Sequence, residues 1–192
     1  MKILIACEFS GIVRDAFIRN GHDAWSCDLL PTERPGPHFQ EDVLEILDNG
    51  WDMMIAHPPC TYISNMSNCR INEPGRKELR EKGYEFFMKF TQTNIPLIAI
   101  ENPRGLPERR WRPADQIIQP YYFGHPMLKA TCLWLKGLPK LVPTNIVKPE
   151  RKFDGKRYRT WVDTMGSYTA KKRSITFQGI ADAMANQWGG GE

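Results

Sequence analysis

The chain has 192 residues, with 26 lysines and arginines against 22 aspartates and glutamates, for a formal net charge of +4. That length builds one domain with a sizeable core, and the mildly basic balance permits contact with nucleic acid without requiring it. Five cysteines, an odd number, with no Cys-x-x-Cys pair, secretory segment or membrane-length apolar run, point to free thiols in a reducing cytoplasm.

In chain order, Lys2 to Cys7 is nearly continuously apolar and reads as a central parallel strand. Glu8-Phe9-Ser10-Gly11 is a turn. A helix follows from Ile12 to Asn20, with Ile12, Ala16 and Phe17 on its core face and Gly21 as its stop. Ala24 to Cys27 is a second strand ending at Asp28. Strand, small-residue turn, helix, strand and acid form the logic of a nucleotide-cofactor half, the acid taking ribose hydroxyls. Val13 stands where a second glycine would serve a pyrophosphate, so the pattern suits a phosphate-free cofactor such as S-adenosylmethionine.

Leu29 to Gln40, with three prolines, reads as a surface loop, and Val43 to Leu47 as a helical stretch. Asp42 before it is either a first-turn acid favoured by the helix dipole or a cofactor ligand. Trp51 to Ala56 reads as a buried strand that Pro58-Pro59 ends, which leaves Cys60 on a rigid turn at a strand's carboxyl end. His57, Cys60 and Cys69 match no common zinc spacing. The polar run Asn65 to Gly75 is either a plain connection or a lid over a substrate.

Arg76 to Thr93 is a long amphipathic helix with Leu79, Tyr84, Phe86, Phe87 and Phe90 as core packing. Ile95 to Ile100 is another apolar strand, ending in Glu101-Asn102-Pro103. If it neighbours the strand before Cys60, thiol and carboxyl face one crevice, a pairing suited to attack on an electron-poor ring. Arg104 to Arg112 is an arginine-rich loop, either phosphate-contacting or simply solvated. Tyr121 to Leu135 reads as two strands around Gly124-His125-Pro126, an edge hairpin. From Lys148 to Arg173 the chain is basic, with Tyr158, Trp161 and Tyr168 interleaved, as on a nucleic-acid surface or a solvated loop. Gly179 to Trp188 reads as a helix with Ile180, Met184 and Trp188 on one face.

Pro58-Pro59-Cys60 with Ser64 beyond it, Glu101-Asn102, and Glu8-Phe9-Ser10-Gly11-Ile12 together resemble the motifs of the DNA cytosine-5 methyltransferases, in order, across roughly Lys2 to Leu135 plus the terminal helix. The resemblance implies a Rossmann-like class I methyltransferase fold, a mostly parallel sheet with an antiparallel edge hairpin. It implies S-adenosylmethionine held by Glu8, Phe9, Ser10, Gly11, Asp28, Asp42 and Pro58. It further implies Cys60 as nucleophile on cytosine, Glu101 bonded to its N3, Asn102 orienting the loop, and no metal. Where the family carries a glutamine and two arginines on one strand face, this chain has Met127, Lys129 and Thr131, so Lys129 alone keeps the charge. The family's large target-recognition domain is replaced by a short basic insertion at about 136–173, as in compact phage-type homologues. One methyltransferase-like domain over 1–192 is expected, acting on cytosine in DNA. The same chemistry on a free nucleotide or RNA, or a binding-only homologue, are the alternatives. A second copy or a separate recognition partner stays open.

Overall fold

A computed structural model describes residues 1–150, 152–153, 158–159 and 174–190. Its centre is a seven-stranded sheet in the order β3-β2-β1-β4-β5-β7-β6. The strands are β1 (Lys2–Ala6), β2 (Asp23–Cys27), β3 (His38–Phe39), β4 (Met53–Ala56), β5 (Leu97–Pro103), β6 (Gln116–Ile118) and β7 (Thr131–Lys136). β3, β2, β1, β4 and β5 run parallel, and β7 lies antiparallel between β5 and β6.

The central strands are short and apolar on both faces because helices cover both. On one face α1 (Ile12–Arg19) and α4 (Gln178–Trp188) pack on Ile3, Ile5, Met53 and Ile55 through Val13, Ala16, Phe17, Ile180, Met184 and Trp188. Arg19 to Asp182 and Asn20 to Asn186 link the two helices at the rim. On the other face α2 (Arg76–Thr91) delivers Phe87 and Phe90 against Leu4, Met54 and Ile98. Phe87 meets Trp134 edge-on at 5.2 Å, which adds about 1 kcal/mol to what burial alone supplies.

Several expectations shift by a turn or a strand. Leu79 is exposed rather than core. Val43 to Leu47 forms only a 3-10 turn over Val43–Glu45. The arginine-rich loop contains a short helix, α3 (Leu106–Arg110), with proline early in its first turn. The edge hairpin pairs β6 with β7, so its first strand precedes Tyr121-Tyr122, which sit in a 3-10 turn at Pro120–Tyr122. Proline at that position favours a turn over a ladder. β5 also runs on through Glu101-Asn102-Pro103, because Leu133, Cys132 and Thr131 of β7 pair with those residues.

Two-residue strands β8 (Lys152–Phe153) and β9 (Tyr158–Arg159) form a separate antiparallel pair. The rest of the basic and aromatic stretch, including Arg151, Lys156, Arg157, Trp161, Tyr168 and Lys171 to Arg173, lies outside the described residues. Among the described residues no helix is long and apolar enough to cross a membrane.

Candidate active site at the switch point

After β1 the chain adds β2 and β3 on one side, then crosses to add β4 and β5 on the other. The crevice beyond the carboxyl ends of β1 and β4 is therefore the topological switch point, where open α/β sheets bind ligands. Cys7 to Gly11 leaves β1 there, and His57 to Cys60 leaves β4 there. A small cleft at this point is lined by Cys7, Glu8, Phe9, Ser10 and His57, with Ser174, Ile175 and Thr176 across from them.

The β1 turn is tightly built. Cys7 has φ 58, the only positive φ on a non-glycine among the described residues, and Gly11 follows at φ 72. The buried Glu8 carboxylate accepts from the Val13 N–H at 2.8 Å, the Arg14 N–H at 3.2 Å and the Ser10 hydroxyl at 2.9 Å. Glu8 therefore caps α1, meeting donors that the first turn leaves unsatisfied. The Asp28 carboxylate accepts from the Leu30 N–H at 2.9 Å, and Asp42 caps its 3-10 turn by accepting from the Leu44 N–H at 3.0 Å. Burial raises the Cys7 thiol pKa, and the nearby charges of Asp28 and Asp42 raise it further. Asp28 follows β2 and Asp42 lies just beyond β3, so both acids stand past the carboxyl ends of strands on the β1 side of the sheet.

β4 and β5 are hydrogen-bonded neighbours, with Ala56 opposite Ile100. The next step along each strand brings His57 beside Glu101. His57 Nδ1 lies 3.2 Å from Glu101 Oε2, with side-chain exposures of 7% and 16%. Asn102 donates through Nδ2 to the Pro58 carbonyl at 2.7 Å, which ties the turn bearing Cys60 to the end of β5. The Cys60 carbonyl accepts from the Ile63 and Ser64 N–H groups at 3.2 and 3.0 Å, closing the turn. Ser64 pairs with Gly105 in a single antiparallel bridge. A Cβ on Gly105 would fall on the Ile63 carbonyl. So the segment that follows Cys60 is clamped to the segment that follows Glu101.

Burial pushes the Glu101 carboxyl up, but the hydrogen bond to His57, the Lys129 charge and the Thr131 hydroxyl together hold it below its ordinary value. Lys129 and Thr131 thus both act on Glu101. Lys129 also stands 5.7 Å over the Phe177 ring. Met127 instead turns its N–H to the His125 carbonyl.

A carboxyl whose pKa is lowered by folding contributes stability above its unfolded value, and loses it as pH falls through the folded value. Glu101→Gln is therefore expected to flatten the acid limb of a urea-stability profile below the carboxylate range. An unchanged limb would show that Glu101 is not the linked group.

His57 is the residue that sequence reading missed, having weighed it only as a metal ligand. The signal was present: it follows β4 at the same offset at which Glu101 follows Ile100. Among the described residues no group of three or more His, Cys, Asp or Glu is arranged to hold a metal ion.

No family model and no curated protein matches the chain. Among solved structures it is similar to a candidate DNA modification methyltransferase encoded within a prophage (E. coli), with a TM-score of 0.50 and 15% identity over 76% of this chain. The match spans 51% of that protein, so the chain covers about half its length. The likeness is one of fold: a mixed α/β sheet, mostly parallel with an antiparallel edge, in the Rossmann-like arrangement of a methyltransferase.

Proposed function

We propose that this chain is an S-adenosylmethionine-dependent methyltransferase that methylates cytosine C5 in DNA through a covalent adduct on Cys60. The observation that carries this is that the turn bearing Cys60 leaves β4 next to β5, the parallel strand that carries Glu101, with Asn102 tied to the Pro58 carbonyl of that turn and the switch-point cleft beside it. The DNA-directed name of the structural neighbour supports it.

The crevice fits the cofactor. The Phe9-Ser10-Gly11 turn, Asp28, Asp42 and Pro58 would hold it, and the buried His57 Nε2, which has no hydrogen-bond partner among the described residues, offers a polar contact in the cleft wall. When bound, it supplies a methyl group on a sulfonium, an electrophile for a carbon nucleophile.

Cytosine C5 is a poor nucleophile. Thiolate addition from Cys60 to C6 places electron density on C5 and N3. Glu101, ionised in the resting protein, accepts from the base's 4-amino group. A base docked over it removes water and strengthens the burial that raises its pKa, so the carboxyl takes a proton from solvent and passes it to N3 as the thiolate adds at C6. Lys129 and Thr131 keep the carboxyl oriented. After transfer, loss of the C5 proton restores the ring double bond and expels Cys60 as thiolate. A base within duplex DNA must be flipped out of the stack to reach Cys60.

A free cytidine nucleotide or RNA is the second reading, favoured by the short interval between β7 and α4. The deciding experiment mixes the protein with S-adenosylmethionine and DNA containing 5-fluorocytosine, followed by a denaturing gel. Fluorine cannot leave as a proton, so a shifted band is expected. Without a band on DNA but with one on RNA or nucleotide, the substrate assignment moves; with none anywhere, the covalent mechanism is wrong.

A further inference from the structure

We propose that His57 receives the ammonium group of the methyl donor at Nε2, and so joins the cofactor cleft to Glu101 through a single imidazole. The inference rests on the proposed use of S-adenosylmethionine and assigns a contact within that site. His57 is held at one end and unmet at the other. Nδ1 is 3.2 Å from Glu101 Oε2, and only 7% of the side chain is exposed. Nε2 is shut off from solvent and has no hydrogen-bond partner among the described residues. Buried polar atoms are almost always paired, so an unmet one calls for an explanation, of which an absent ligand is one.

The chemistry of the missing partner follows from the paired end. Glu101 is held in its ionised form, and an ionised carboxylate can only accept, so the Nδ1 nitrogen must carry the proton. Where the ring carries only that proton, Nε2 is a bare lone pair and its partner must be a donor. The cleft that His57 lines is otherwise formed by the β1 turn and by Ser174 to Thr176. The methionyl end of the donor offers two charged groups. Its carboxylate is acceptor only and would face a lone pair. Its ammonium presents three N–H groups and satisfies it.

The test is calorimetric titration with S-adenosylhomocysteine and with 5′-methylthioadenosine, which lacks both ammonium and carboxylate. Asparagine at this position places an amide N–H near Nδ1 and nothing at Nε2. Glutamine reaches towards Nε2 with an amide oxygen. His57→Asn is expected to lose about 10-fold in affinity for S-adenosylhomocysteine and to keep its affinity for 5′-methylthioadenosine, a charged hydrogen bond being worth that much. His57→Gln is expected to recover most of the loss. A ligand-side control needs no variant: deaminated S-adenosylhomocysteine is expected to bind the unaltered protein about 10-fold more weakly. Equal binding of both forms by the unaltered protein, or an equal loss of both ligands in His57→Asn, overturns the assignment while leaving cofactor use intact. Failure of the unaltered protein to bind S-adenosylhomocysteine at all overturns the proposed function as well.

Discussion

Cys60→Ser is expected to abolish trapping on 5-fluorocytosine DNA and to slow methyl transfer on the order of 10⁴-fold or more, with S-adenosylhomocysteine affinity unchanged. The split follows from what builds the turn. Its shape comes from Pro58-Pro59, from the Ile63 and Ser64 N–H groups on the Cys60 carbonyl, and from Asn102 on the Pro58 carbonyl. None of these involves the sulfur, so serine stands in the same place. A serine hydroxyl stays protonated at neutral pH and needs an adjacent base to attack. The imidazole three residues before it, His57, already commits Nδ1 to Glu101. Single-turnover assays with labelled methyl donor would measure the rate. A serine variant that kept the parental rate would rule out the covalent route.

Arg14→Met is expected to destabilise the protein by about 3–5 kcal/mol, a large share of the total for a domain of this size, and to expose 29–40 to protease. Arg14 is completely buried, with 0% side-chain exposure, in a chain where such burial of a cation is rare. Its guanidinium donates to the Asp15 carboxylate at 2.9 Å, the Ser26 and Thr32 hydroxyls at 3.1 Å, and the Arg34 and Pro35 carbonyls at 3.0 and 3.3 Å. One side chain thus gathers the loop between β2 and β3. The glycines at 11 and 36 are required here, since a Cβ at either would press on the guanidinium and both have positive φ. Methionine fills the volume but leaves those acceptors unmet. Lysine cannot rescue it, because one ammonium cannot span a planar fork of five donors. Urea unfolding would give the stability change. A loss below about 1 kcal/mol would mean that water replaces the fork.

The strands before and after the proposed site were legible because central parallel strands are continuous apolar runs, and both Met53–Ala56 and the start of Leu97–Pro103 are such runs. α4 was legible because Ile180, Met184 and Trp188 recur at helical spacing. Short elements were not. α3 spans one turn, and β6 has three residues, too few to set a period. β3, paired to β2 by two residues inside a proline-rich loop, gave no signal at all.

By itself the sequence determined the alternation of strands and helices, the rigid Pro-Pro-Cys turn and the acid at the end of a second strand. These are local properties: apolar period, proline's fixed φ and missing N–H, residue order. The tertiary structure alone decided that β4 and β5 are neighbours in a register that puts His57 against Glu101, and that Lys129 and Thr131 reach the same carboxyl. It also decided that Arg14, which nothing in the sequence reading singled out, is the buried post of a loop. Those facts depend on pairings between residues far apart in the chain, which no local periodicity encodes and which only packing both faces of one sheet fixes.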